Sequence, residues 1–256
     1  MSLDSLKSDG IIILDFGGQY AHLIARRVRE LNVYSEIVYS DSSPKEIQDK
    51  GEEINIKGII LSGSPSSVAT QEVPFNPDVL DMGIPVLGLC YGHQLLAKLL
   101  GGTVISREAK EYGATEAVID RPIDILKGMD TIEKVWMSHG DTVNSVPPDF
   151  EILAHTGNSP VAAFKHGERP LWGLQWHPEV VHTEKGMLTF RNFIFDICGC
   201  EANWYSTDLI KIARQEIEKT IGDGRAIIAL SGGVDSSVAA ALVGSILGEG
   251  LIAVHV

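Results

Sequence analysis

The chain is short of cysteines and of basic residues, and it has no long apolar run. Three cysteines among 256 residues are too few for a disulfide-stapled secreted domain. Cys198 and Cys200 stand too close together for an easy bridge. Reduced thiols and a cytoplasmic location are the expectation. Lysine and arginine number 21 against 34 aspartates and glutamates, a net charge of −13. That balance argues against nucleic acid or an anionic membrane as a partner, but leaves room for a local basic pocket. No apolar run approaches the ~20 residues of a membrane span. No basic segment followed by an apolar one opens the chain, so no signal peptide is expected. Internal repeats and low-complexity tracts are absent. What is there is a 44% hydrophobic composition, enough for a real core in one large or two modest domains.

The apolar pattern alternates between two periods. Residues 10–16 (GIIILDF) read as a buried strand ending at Gly17-Gly18. Residues 19–31 read as a helix, with Leu23, Ala25, Val28 and Leu31 on one side. Further strands are expected at 33–39, 57–61 and 84–89, the last leading into a helix over 93–100. This alternation predicts an α/β fold with a mainly parallel sheet covered on both faces and a site at the carboxyl ends of the strands. Residues 62–67 and Cys90 both fall at such ends. Between 103 and 175 the runs 117–119, 135–137, 152–154, 161–164 and 171–175 are short and separated by Gly, Pro and Asp. They predict an antiparallel or mixed extension. Residues 186–197 read as a closing helix. The expected domains are 1–200, then a connecting helix within 201–224 capped by Ser206 or Thr207, then a second α/β segment over 225–256. That last segment carries a strand at 226–230, a helix at 238–247 and a strand at 251–256.

Two stretches carry chemistry. In residues 84–94 (IPVLGLCYGHQ) an apolar strand breaks at G-x-C-x-G into a helical pattern. This is the thiol form of a nucleophile elbow, in which small flanking residues let a strained turn expose one reactive side chain. Trp176-His177-Pro178-Glu179 sets an imidazole and a carboxylate two residues apart, on one side of an extended chain. A thiol, a base and a group that orients the base are what acyl transfer needs. The helix N-terminus favours the Cys90 thiolate, and His177 adds to this if the fold brings it near. The N–H of Tyr91 is a candidate oxyanion donor, and the turn Gly63-Ser64-Pro65 offers another. The alternatives are a Cys90 that is a small buried hydrophobe and a His-Pro-Glu that is an ordinary loop. His93 is a rival base, though its place a turn behind Cys90 favours packing. His22, His155, His166 and His255 show no constellation. Asp15-Phe16-Gly17-Gly18 lacks the spacing of a dinucleotide site.

The second stretch is Ser231-Gly232-Gly233-Val234-Asp235-Ser236-Ser237, after one predicted strand and opening a helix. Its glycines let phosphate oxygens approach the backbone, and the helix N-terminus favours their charge. Ser231, Ser236 and Ser237 add hydroxyl donors. The ending of a Walker P-loop is missing, and a generic Gly/Ser turn is the alternative.

The runs LGLCYGHQLLAKLLGG, LSGSPSS and QWHPE resemble the three signatures of class I glutamine amidotransferase domains. DFGGQYAHLIARRVREL, VWMSHGD and HPEVVHT narrow the resemblance to the glutaminase part of the GMP synthase family, over residues 10–200. The resemblance implies a flavodoxin-like sheet with an antiparallel extension, and Cys90, His177 and Glu179 as a triad. It implies oxyanion N–H groups from Ser64 and Tyr91, and a glutamine pocket lined by Gln94, Ser138, His139 and Gly140. Glutamine hydrolysis needs no metal or other cofactor. Two positions depart from the family's pattern: it usually has Gly where Ser64 stands and often Phe where Trp176 stands. Serine tolerates positive φ poorly.

SGGVDSS looks like the pyrophosphate loop of ATP pyrophosphatases, whose domain is adenine-nucleotide α-hydrolase-like. Ser231, Gly232, Gly233, Val234, Asp235, Ser236 and Ser237 would then meet ATP. The complete enzyme of this family uses ATP and Mg²⁺ to aminate xanthosine monophosphate to GMP, and works as a homodimer. The second domain would be incomplete at Val256. The alternatives are the glutaminase of another synthetase, against which SGGVDSS speaks, and a catalytically silent regulatory module on the same fold.

Overall fold

The computed structural model describes residues 7–52, 54–71 and 73–255. The chain forms two compact units, one ending at Trp204 and the other beginning at Tyr205.

In the first unit β1 (Asp9–Asp15) lies between β2 (Tyr34–Tyr39) and β3 (Asn55–Leu61), parallel to both. Its IIIL run is fully buried because the sheet is covered on both faces. The two-residue period divides the run: Ile11 and Ile13 join one core cluster, Ile12 and Leu14 the other. Helix α1 (Ala21–Glu30) covers the first face with Ile24, Ala25 and Val28. Helices α2 (Pro44–Lys50) and α3 (Tyr91–Leu99) cover the second with Ile47, Leu95 and Leu96. Helix α2 starts at a capping box, in which Ser43 accepts from the Glu46 amide and the Glu46 side chain from the Ser43 amide.

Strand β4 (Val86–Leu89) extends the parallel part beside β3. The remaining strands are β5 (Thr103–Ile119), β6 (Ile132–Ser145), β7 (Phe150–His155), β8 (Ala163–His166) and β9 (Leu171–Leu174). Among the described residues they complete one nine-stranded sheet in the order β2-β1-β3-β4-β9-β8-β7-β5-β6. Strand β9 pairs parallel with β4 and antiparallel with β8, so the extension is mixed and grows directly out of the parallel part. Helix α4 (Gly186–Arg191) continues as a π-helical turn over Asn192–Ile197. Phe190, Phe193 and Ile194 close the first face.

The first unit runs past the expected end at 200. The Glu201 amide donates to Asp9 at 2.8 Å, the Asp9 amide to Asn203 at 3.2 Å, and Trp204 meets the Tyr34 ring edge-on. Cys90, Cys198 and Cys200 are free. Among the described residues no helix is long and apolar enough to cross a membrane.

The second unit contains α5 (Ser206–Ile221), β10 (Ala226–Leu230), α6 (Val234–Leu247) and β11 (Leu251–His255), with β10 and β11 paired in parallel. Helix α5 thus belongs with the second unit rather than standing between two domains. Tyr205 occupies its N-cap position; the side chains of Ser206 and Thr207, expected as caps, lie outside the described residues, as does Val256. Among the residues of this unit whose burial is described, none is buried.

Candidate active site

Four strand ends meet at one cavity. The loops after β1, β3, β4 and β9 all emerge at the carboxyl edge of the parallel sheet, where open α/β sheets carry their sites. The cavity has a volume of about 670 Å³.

Cys90 sits between β4 and α3 with φ 52° and ψ −101°, a conformation a non-glycine residue rarely adopts. Its amide donates to the Leu174 carbonyl of β9 at 2.8 Å, which ties the turn to the strand leading to His177. The flanking glycines are required by close approach. A Cβ on Gly88 would stand 2.5 Å from the Gly92 backbone, and one on Gly92 would stand 2.6 Å from Leu61. Gly88→Ala is therefore expected to destabilise the protein by about 1–3 kcal/mol, because backbone must move to make room. Thermal unfolding checks this, and an unchanged midpoint would contradict the packing account of the elbow.

On one side the His177 ring lines the same cavity as the Cys90 thiol. On the other, Nδ1 donates to Glu179 Oε1 at 2.6 Å. Burial opposes a charge on this ring. The adjacent Cys90 sulfur, as thiolate, and the Glu179 carboxylate outweigh it and hold the pKa well above the usual 6.5. An imidazolium facing a thiol favours the thiolate, and it has a proton to deliver to a leaving group. The segment carrying the ring is pinned: the His177 amide donates to Trp136 O at 3.0 Å and Thr183 Oγ1 donates to His177 O at 2.6 Å. Arg27 Nε of α1 donates to the Glu179 carbonyl at 2.8 Å.

His93 is no rival base. It packs in the core, stacked on Phe164 with Nε2 donating to Val161 O at 3.0 Å. Burial pushes its pKa down to about 3, so it is neutral.

Ser64 lines the cavity, and a Cβ added at Gly63 beside it would stand 3.3 Å from the His177 ring and 3.7 Å from Cys90 Cβ. The expected strain at Ser64 is not found. Among the described non-glycine residues positive φ occurs at Asn32, Cys90 and Asp124, so a side chain at 64 meets no backbone penalty. Trp176 is fully buried in the core. Tyr91 opens α3 directly after Cys90. Gln94 is buried, with Nε2 donating to Asp141 O at 2.8 Å and to Gln175 Oε1 at 3.1 Å. The carbonyl of Ser138 lies 3.7 Å from Cys90 Sγ. Cys90, Ser64, Tyr91, Gln94, Ser138, His139, Gly140 and His177 thus all line the cavity; Glu179 stands behind His177.

The structure adds residues that the sequence did not single out. Gly18 lines the cavity, packed so closely on the Gly63 carbonyl that no side chain fits. Tyr20 meets the His177 ring edge-on at 5.0 Å. Lys110, Tyr112 and Asp141 also face the cavity, and Ser67 donates to Asp141 Oδ2 at 2.5 Å. Of these only Gly17-Gly18 carried a signal, as a glycine pair at a parallel strand's carboxyl end.

In the second unit residues 231–233 join β10 to α6, and 234–237 form the first turn of α6, which begins at Val234 rather than at the expected 238. Gly232 has φ 78°. The hydroxyls of Ser236 and Ser237 donate to Gly233 O at 3.1 and 2.8 Å, and those of Ser231 and Ser236 are 3.3 Å apart.

Comparison with known proteins bears on the family and the fold. The model of the class-I glutamine amidotransferase family matches residues 12–197. A GMP synthase (glutamine-hydrolyzing) of Caldanaerobacter subterraneus subsp. tengcongensis is 47% identical over 252 residues, covering 98% of this chain and 48% of that protein. One from Thermosynechococcus vestitus is 46% identical over 242 residues, covering 94% and 44%. The chain spans about half the length of the curated relatives it matches. Among solved structures, a Thermoplasma acidophilum protein described as a GMP synthase subunit superposes with a TM-score of 0.65 at 31% identity, over 81% of this chain and 99% of that one. A Thermotoga maritima glutamine amidotransferase shares the fold at 19% identity, with a TM-score of 0.53 over 94% and 99%. With the family model spanning most of the first unit and the sheet, elbow and cavity in place, the chain belongs to the class-I glutamine amidotransferase family.

Proposed function

We propose that this chain is the glutaminase half of a GMP synthase and hydrolyses glutamine to glutamate and ammonia. The observation that carries the proposal is the strained Cys90 turn and His177 in one cavity, with Glu179 bonded to the ring from behind. The Cys90 thiolate attacks the side-chain amide carbon. The amides of Ser64 and Tyr91 receive the developing oxyanion. The His177 imidazolium protonates the amide nitrogen, the C–N bond breaks, and ammonia leaves a γ-glutamyl thioester on Cys90. Water, giving its proton to His177, then attacks that carbon and releases glutamate and the thiolate. Glu179 holds the ring in register and stabilises its charge. Gln94 and the segment Ser138-His139-Gly140 hold the substrate.

On this reading the first unit, ending at Trp204, is the glutaminase domain, and the second, beginning at Tyr205, is the opening of an ATP pyrophosphatase domain. In the complete, homodimeric enzyme the ammonia aminates adenylated xanthosine monophosphate, with ATP cleaved to AMP and pyrophosphate. The residues at 231–237 fit a phosphate: Gly232 adopts a conformation glycine favours, and the N-terminus of α6 faces the turn. These residues would hold the ATP phosphates, whose Mg²⁺ supplies charge neutralisation. The same unit has no described buried residue to wall a base or ribose.

Two results test the proposal. The purified 256-residue chain is expected to release glutamate from glutamine, assayed with and without xanthosine monophosphate and ATP. No glutamate under either condition would overturn the glutaminase reading. With ammonia supplied directly, the chain is expected to bind ATP weakly by calorimetry and to make no GMP by chromatography. GMP formation would show the account of residues 225–256 to be wrong.

A further inference from the structure

One buried carboxylate–imidazole contact joins His139, which lines the cavity, to Glu111, which does not line it and takes no part in the reaction above. Glu111 on β5 and His139 on β6 are direct partners in the strand register. Their side chains are 4% and 5% exposed, with Glu111 Oε2 3.1 Å from His139 Nε2. Two hydroxyls complete the carboxylate's shell: Thr156 Oγ1 donates to Oε1 and Ser159 Oγ to Oε2, both at 2.9 Å. On the far side of the ring, His139 Nδ1 donates to the Asp141 carbonyl at 2.8 Å. The same oxygen accepts from Gln94 Nε2. One carbonyl therefore joins α3, the helix behind Cys90, to the part of β6 that lines the cavity.

A carbonyl only accepts, so His139 Nδ1 donates to Asp141 O, which leaves Nε2 facing the Glu111 carboxylate. Burial pushes the Glu111 pKa up, but the donors on His139, Thr156 and Ser159 outweigh it and hold the carboxyl below its ordinary range. A buried ion pair is a poor source of stability, because apolar residues of similar volume often serve as well. Directional bonds are what apolar packing cannot supply.

We infer that Glu111 is a positioning residue for the substrate pocket: through the His139 ring and the Asp141 carbonyl it sets residues 138–141 against Gln94. The inference rests on the reading of that pocket as the glutamine site. Glu111 does not itself line the cavity, so it acts on glutamine at one remove.

Iodoacetamide alkylation of Cys90 in the full chain, mapped by peptide mass spectrometry at rising glutamine concentration, separates the possibilities. The basal rate reports the thiol and its imidazole; the glutamine concentration that halves it reports the pocket. Glu111→Ala is expected to raise that concentration about tenfold or more, with the basal rate within about twofold of the unmodified protein. Glu111→Gln keeps an acceptor for Thr156 and an amide that can bond the His139 ring, so it is expected to stay within about threefold. An Ala variant protected as well as the unmodified protein overturns the inference. So does one whose basal rate falls as far as its protection, which would mark a general support of the fold. If the Ala variant does not fold, Ser159→Ala, which removes one hydroxyl donor, is expected to weaken protection about threefold at unchanged basal rate. No weakening there overturns the inference too. Unmodified protein that glutamine does not protect at any concentration overturns the glutamine reading itself.

Discussion

Cys90→Ala is expected to remove glutamine hydrolysis, a loss of about 10⁴-fold or more, and to leave the fold intact. The thiol is the only group at the elbow able to form the acyl intermediate, and alanine offers no nucleophile. The substitution is small, because Cys90 sits on a turn whose shape is set by Gly88, Gly92 and the bond from its own amide to Leu174. Alanine keeps that amide and needs no repacking. Circular dichroism and thermal unfolding establish the fold, and glutamate release establishes the activity. Steady glutamate release by a folded Cys90→Ala protein would sink the assignment.

Within the triad the order of damage follows from the contacts. His177→Ala is expected to be nearly as severe as Cys90→Ala, since the ring both favours the thiolate and protonates the departing ammonia. Glu179→Gln is expected to be milder, about 10²-fold, because it acts through the ring and cysteine is intrinsically nucleophilic. It also has a signature in pH. Burial lowers the His177 pKa, but the Cys90 and Glu179 charges outweigh it and raise it, so the ring stays charged at neutral pH and loses its proton as pH rises through the raised value. The stability that this charge contributes is complete below the unfolded pKa of about 6.5 and disappears over the same alkaline range. Removing the carboxylate lowers the His177 pKa and moves the alkaline limb of the rate profile to lower pH. Single-turnover rates across pH check both points. A Glu179 variant slower than the His177 variant, or an alkaline limb that does not move, would contradict these roles.

Much of the site was legible in the sequence because its residues lie at strand ends marked by local pattern. GIIILDF, residues 57–61 and PVLGL read as parallel strands since both their faces are buried, and the loops after them follow from that. The harder parts are those fixed by partners distant in sequence. Strand β5 runs for 17 residues, yet only 117–119 reads as β, because charges around 107–111 and Gly113 interrupt the apolar pattern of a strand near the sheet's edge. The pairing of Glu111 with His139 depends on a register reset between Ser106 and Glu111, which no local spacing shows. Helix α2 went unread although Ser43-Pro44-Lys45-Glu46 spells its capping box; one buried residue, Ile47, is too little apolar pattern to reveal a short helix. The family's glycine at position 64 makes strain expected at Ser64, whereas positive φ occurs at Cys90 and not at Ser64.

The central claim, covalent catalysis by Cys90, is tested most directly by trapping the intermediate. Acid quenching of the chain during glutamine turnover, followed by proteolysis and mass spectrometry, is expected to find one glutamyl group on the peptide containing Cys90. It is expected on that peptide alone, and absent from Cys90→Ala. A glutamyl group on another residue, or turnover in which the adduct never forms even in the slowed Glu179→Gln protein, would contradict the account.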